Sequence, residues 1–242
     1  MSNQIAIVAA LEYEVKAGLK TWHVNEREHA GRLFKFYESQ RAVLVCGGIG
    51  PEPARRAAEA IISLYKPMLV VSIGLAGALD PELKVGSLFT PRTVIDAGDS
   101  SSVGTGVGNG VLVSFAEVAS AGQKSDLAKA FNAQAVDMEA AAVARGAKAR
   151  GVRFGAVKAI SDERDFVMPP LQRFIQDGQL QYGKFALFAA AQPWLWPTVV
   201  LLALNSWRAS KTLCGWLEQY NTEPESLERK PAEMHPISKD KT

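Results

Sequence analysis

Cysteine is nearly absent. Cys46 and Cys214 alone occur in 242 residues, too few for a disulfide framework or a set of zinc ligands, and reduced thiols in a cytosol are the expectation. Charge of one sign is lacking too: 27 basic and 25 acidic residues leave a formal +2, so no excess positive potential is available to grip a nucleic-acid backbone, and nucleic acid is not an expected partner. The start, Met1-Ser2-Asn3-Gln4, has no basic segment, and the apolar residues after it soon meet Glu12 and Glu14; a secretory leader is not expected, and a cytoplasmic location is. Long apolar runs are also scarce. Residues 185–204 approach the length of a membrane span, but Gln192, Pro193 and Pro197 interrupt them, which predicts two separate helices instead.

What is present is an ordinary globular composition, 48% hydrophobic and 21% charged, in a chain long enough for one sizeable core. One domain over residues 1–220 is expected. The polar, proline-punctuated residues 221–242 hold too little apolar surface to offset the entropy of ordering, and are expected to be a disordered tail. Apolar, β-branched runs at 5–10, 42–46, 68–73 and 154–160 read as buried strands, with 33–37 and 88–95 as further ones, the former pairing with 42–46 through a turn near Gln40. Helical patterns at 51–64, opened by Pro51, and at the alanine-rich 138–150 alternate with them, which predicts an α/β layered fold on a mixed sheet. Residues 98–110, with five glycines, are expected to form a mobile surface loop. Neither they nor Gly47-Gly48-Ile49-Gly50 have the spacing of a dinucleotide fingerprint or a P-loop.

Three segments set acids where a wound sheet gathers ligands, at strand ends and helix starts: Leu11-Glu12-Tyr13-Glu14, Val136-Asp137-Met138-Glu139 and Lys158-Ala159-Ile160-Ser161-Asp162. Each acid alone has a plain explanation, since a carboxylate at a helix start is favoured by the dipole and by free backbone donors. The coincidence of all three with Ile73-Gly74-Leu75-Ala76-Gly77, whose glycines and alanines would let a ligand approach the backbone, argues for a shared pocket.

These four segments, in this order over about residues 4 to 165, resemble those of the methylthioadenosine and adenosylhomocysteine nucleosidases and their purine phosphorylase relatives. The resemblance implies a three-layer α/β phosphorylase-like fold, a central mixed and twisted sheet flanked by helices. It implies cleavage of the bond between a purine and a ribose carbon, with no metal and no organic cofactor. Glu139 is then similar to the group that binds the ribose hydroxyls, with Met138 packing on the sugar. Asp162, beside Ser161, resembles the acid that hydrogen-bonds or protonates purine N7, and Glu14 the carboxylate that activates water, while Glu12 serves structure or the helix start. Such a base is expected to stay ionised. Gly74, Leu75 and Val118 are implied to line the site, although Val118 is equally well explained by strand packing.

The sequence departs from that pattern around the attacking group. Leu75 stands where many relatives carry a serine, Ser72 where some phosphorylases carry an arginine, and Lys158 where the nucleosidases carry an arginine. A lysine can hold phosphate only as a point charge, so hydrolysis and phosphorolysis with inorganic phosphate as co-substrate both stay open. Arg55 and Arg56 lie near and read as surface residues or phosphate contacts. Four of the five tryptophans fall in 194–216, either a packed helix covering the sheet or an apolar entrance and interfacial contact with a membrane. Together with Gly74-Leu75-Ala76-Gly77 and Val136-Asp137-Met138-Glu139, this region looks most like the hopanoid-associated phosphorylases. That narrower resemblance implies adenosylhopane as substrate; methylthioadenosine, adenosylhomocysteine, or a nucleoside or lipid merely bound are the rivals. The family also implies a homo-oligomer.

Overall fold

The computed structural model describes residues 4–222. In chain order its elements are β1 (Ile5–Ala9), α1 (Glu12–Val15), a 3-10 turn at Lys16–Leu19, β2 (His23–His29), β3 (Arg32–Glu38), β4 (Ala42–Cys46), α2 (Pro51–Tyr65), β5 (Leu69–Ala78), β6 (Leu88–Phe89), β7 (Thr93–Asp96), β8 (Ser102–Gly104) and β9 (Val111–Ser114). Then follow α3 (Ala121–Phe131), β10 (Ala135–Asp137), α4 (Ala140–Lys148), β11 (Arg153–Asp162), a 3-10 turn at Leu171–Phe174, β12 (Ile175–Gln176), β13 (Gln179–Leu180), α5 (Tyr182–Ala190), a 3-10 turn at Pro193–Leu195, and α6 (Trp196–Thr222).

Eleven strands form one mixed sheet in the order β2-β3-β4-β1-β5-β10-β9-β7-β8, with β11 on the other side of β5 and β6 beyond it. β1, β4, β5 and β11 run parallel, as do β7, β9 and β10. Side-chain alternation along a strand sorts residues to opposite faces. Ala6 and Val8 point to the layer made by α2 and α4; Ile5, Ile7 and Ala9 point to the layer that includes Val15, Leu19, Trp216 and Leu217. The fold is therefore the three-layer α/β arrangement with a mixed sheet. Alanines Ala57, Ala58, Ala140, Ala144 and Ala147 are buried and let α2 and α4 lie close against the sheet.

The expected strands at 5–10, 42–46, 68–73 and 154–160 are present, and 33–37 does pair antiparallel with 42–46, Phe36 opposite Val45. Three expectations change. The single strand at 88–95 is two, β6 and β7, separated around Pro91, which has no N–H to give a ladder. Residues 98–110 are not a free loop: β8 pairs with β7, and a Cβ on Gly108 would fall 2.2 Å from the Thr90 carbonyl oxygen, so the segment packs closely on its neighbour. Finally, α6 extends to Thr222, two residues into the expected tail; residues 223–242 lie outside the described residues. The two helices expected around 185–204 are α5 and α6, bent by 112° to one another, and among the described residues no single helix is long and apolar enough to cross a membrane.

Candidate active site

One cavity of about 510 Å³ takes its polar wall from the ends of β1, β5, β10 and β11, and its apolar wall from residues between 168 and 210. Glu14 and, more than a hundred residues further along the chain, Glu139 and Asp162 all line it, as do Met138, Ser161, Leu75 and Val118. Lys158 and Gly74 do not: both lie behind the wall. Lys158 is fully buried, in an ion pair with Asp137 at 2.8 Å, and it donates to Ser72 Oγ at 3.1 Å. A Cβ on Gly74 would make only ordinary contacts, 3.4 Å from Glu14 Oε2 and 3.7 Å from Lys158 Nζ, so this glycine faces the charged side chains and not the cavity.

Local structure aims each acid. β11 runs in register beside β5 until Ile160, where a register shift brings Asp162 opposite Gly77. Such a bulge re-aims side chains at a sheet end. Ser161 Oγ then donates to Asp162 Oδ1 at 2.7 Å, and Lys124 on α3 donates to Asp162 Oδ2 and, at 2.8 Å, to the Glu163 carbonyl. Both partners are buried, with side chains 1% and 4% exposed. Only glycine fits at 77, because a Cβ there would lie 2.8 Å from Asp162 Oδ2 and 3.1 Å from Lys124 Cε.

Glu139 lies two residues after β10 and immediately before α4. Its carboxylate accepts from Gly50 N at 2.8 Å and from Met138 N at 3.3 Å. Gly50 has φ 98°, a conformation open mainly to glycine, and this turns its N–H toward the carboxylate. The glycine-rich segment 47–50 thus serves the site by holding an acid, without cradling a phosphate in the manner of a P-loop.

Glu14 is buried on α1, and its Oε2 finds no hydrogen-bond partner among the described residues. Burial first, and then the charge of Glu139, push its carboxyl up to about 8. Glu139 is pushed up to about 7 by burial and by Asp137. In the empty cavity Glu14 is therefore held toward its protonated form, whereas the ionised base expected from the sequence belongs to the state with a cation forming beside it. Three acids surround the single ammonium of Lys158, and that ammonium is committed to Asp137, which also accepts from Ser114 Oγ at 2.5 Å and Ala140 N at 2.9 Å. Glu12, by contrast, is surface-facing and pairs with Lys35 at 3.3 Å, in keeping with a structural part.

Val118 stands on the wall with its backbone N–H donating to Gln172 at 2.9 Å, which ties the loop before α3 to the 171–174 turn. Arg55 and Arg56 do not reach the cavity; they pair with Glu52 and Glu59 along the exposed face of α2. Among the described residues no group of three or more His, Cys, Asp or Glu is arranged to hold a metal ion. The residue that sequence reasoning missed is Lys124. A lysine in a helix opened by a Ser120–Gln123 capping box reads as solvated surface. The available signal was its spacing: Lys124 lies three residues before Leu127, on the one buried stripe of α3.

A model of the phosphorylase superfamily matches residues 4–123 and 109–189, and the chain belongs to that superfamily. Among curated proteins it is 33% identical over 95 residues to a 5′-methylthioadenosine/S-adenosylhomocysteine nucleosidase of Marinomonas sp., covering 38% of this chain and 41% of that protein's length. It is 29% identical over 196 residues to the Staphylococcus aureus nucleosidase of the same name, covering 65% of this chain and 86% of that one. Among solved structures, the Campylobacter jejuni nucleosidase aligns with TM-score 0.63 and 18% identity over 89% of this chain and 99% of its own. Futalosine hydrolase of Helicobacter pylori aligns with TM-score 0.64 and 19% identity over 90% and 99%. These two likenesses establish the fold.

Proposed function

We propose that this member of the phosphorylase superfamily hydrolyses the N-glycosidic bond of an adenosyl nucleoside whose 5′ substituent is large and apolar, releasing adenine. The chain is an enzyme of the nucleoside phosphorylase and nucleosidase type, and its relatives in sequence are nucleosidases. The observation that carries the reading is the convergence of Glu14, Glu139 and Asp162 on one cavity. In that geometry Asp162 meets the purine at N7, with the Lys124 ammonium against it as the nearest proton source, and Glu139 receives the ribose hydroxyls. As the C1′–N9 bond breaks, N7 gains a proton, positive charge grows on the sugar, and a water oxygen bonds to C1′ while its proton passes to Glu14. A cation forming beside Glu14 favours the ionised carboxylate that the empty cavity disfavours.

Water is favoured over phosphate as the attacking group by charge. A phosphate dianion beside C1′ would need a cation to answer it, while Lys158 is spent on Asp137 and Lys124 on Asp162. The apolar wall supports the choice of substituent. Leu75, Met168, Leu171, Phe185, Val199 and Leu202 leave a lining with few polar atoms, suited to a hydrocarbon and not to the charged amino acid of adenosylhomocysteine. Adenosylhopane fits this description, and we take it as the substrate.

The test is adenine release from adenosylhopane, methylthioadenosine and adenosine, each with and without phosphate. Release that is independent of phosphate and fastest with the apolar nucleoside is expected. Strict dependence on phosphate would overturn hydrolysis, and no release from any nucleoside would overturn the enzymatic reading of this site.

A further inference from the structure

The helix α6 changes character along its length. Its second half is an ordinary core helix: Ala209, Leu213, Trp216 and Leu217 are buried against the sheet, and Trp216 stacks on Tyr220 at 5.7 Å. In its first half both sides are apolar. Val199 and Leu202 face the catalytic cavity, while Val200, Leu201 and Leu204 point outward, 57%, 46% and 50% exposed. With Pro193, Trp196 and Pro197 these three line an open groove on the outside of the same helix. Trp194, 70% exposed, and Leu187 on α5 extend the face. A soluble helix ordinarily turns polar residues outward, so a contiguous apolar face of this kind marks a contact surface.

We propose that this α5–α6 corner docks on an anionic lipid bilayer, so that the apolar end of the cavity opens next to the membrane. Two independent observations favour a bilayer over a second copy of the chain. First, between Asp177 and Glu218 the sequence contains no acidic residue, while Lys184, Arg208 and Lys211 are exposed at the edges of the face. Cations flanking tryptophan and leucine suit anionic headgroups above an acyl layer. A two-fold pairing of the face would instead bring those cations together with no acid of that stretch to answer them. Second, the Trp196 indole N–H already donates to the Ala189 carbonyl at 2.9 Å, so the exposed ring enters an apolar phase without leaving an unpaired donor.

The idea deepens the proposed function, since a nucleoside with a hydrocarbon tail resides in a bilayer and would reach the active site around α6. Its test does not depend on turnover. Full-length protein is mixed with vesicles of phosphatidylcholine alone and of equimolar phosphatidylcholine and phosphatidylglycerol, and binding is read by co-sedimentation and by the shift of tryptophan emission. Binding is expected on the anionic vesicles, with a blue shift, and weaker binding on the neutral ones.

The Leu201→Ser/Leu204→Ser variant, altered only at outward positions, should lose about tenfold or more in vesicle affinity while hydrolysing methylthioadenosine as before. The proposal is overturned by absence of binding to either vesicle, by undiminished binding of that variant, or by ultracentrifugation showing an oligomer that the two substitutions dissociate. Vesicle binding without adenine release from any nucleoside would instead leave the docking surface standing and remove the proposed reaction.

Discussion

The two ends of the cavity hold their shape by different physics. At the acidic end Glu139, Asp162 and Asp137 are each fixed by directed hydrogen bonds from groups distant in the chain, Gly50, Lys124 and Ser114, and Glu14 lies buried beside them. A displacement there strands a charge in a low dielectric, where it is costly. At the other end the wall is made by leucines, a phenylalanine and a methionine from one stretch of chain, whose contacts are undirected and forgive changes of shape. The contrast teaches that the reaction is held rigidly, while the identity of the 5′ group is set by a surface that can be re-cut.

Changes at the acidic end should therefore have the larger effects. Asp162→Asn removes the group at N7 and should lower kcat by about 10² to 10⁴, read from steady-state adenine release, with KM changing less; a loss below tenfold would move the acid elsewhere. Lys124→Met leaves Asp162 buried beside no cation and should cost about 3–5 kcal/mol in urea unfolding. Lys124→Met combined with Asp162→Asn should recover much of that loss, because the uncompensated charge is gone. Equal destabilisation by the single and double variants would show that packing of Lys124 matters more than its charge.

Proton linkage gives a smaller effect. Glu14 and Glu139, with values raised from 4.5 to about 8 and about 7, bind protons more tightly folded than unfolded. Stability of the ligand-free protein is then greatest at low pH within this window and falls as pH rises from about 4.5 through about 8, by on the order of a few kcal/mol. Glu14→Gln should flatten the upper part of that slope, and a stability that rises across the window would contradict the buried acid cluster. The mildest change belongs to the apolar end. Leu202→Ser should raise KM for an apolar 5′-substituted nucleoside about tenfold and leave adenosine within about twofold, the signature of a wall that touches only the substituent.

The legibility of the site follows the same division. Val136-Asp137-Met138-Glu139 and Lys158 to Asp162 could be read because each acid follows its strand within a residue or two, so local pattern and final position coincide. Lys124 could not, since its partner Asp162 is 38 residues away and only the packing of α3 on β9 and β10 brings them together. Lys158 illustrates the converse. Its place in the motif suggests a ligand contact, but the tertiary partner Asp137 takes its charge and puts it behind the wall. The glycines of 74–77 read as room for a ligand, yet the nearest atoms to Gly74 belong to Glu14 and Lys158 and those to Gly77 belong to Asp162 and Lys124.

By itself the sequence determined the alternation of strands and helices, through the period of its apolar residues, and the acids at the strand ends, through short-range order that survives folding unchanged. Only the tertiary structure decided which acids received the buried ammoniums of Lys158 and Lys124, which carboxyls were pushed toward holding a proton, and which side of α6 was left facing outward. Those outcomes depend on distances between groups far apart in the chain and on removal from water, and neither quantity exists until the layers have packed.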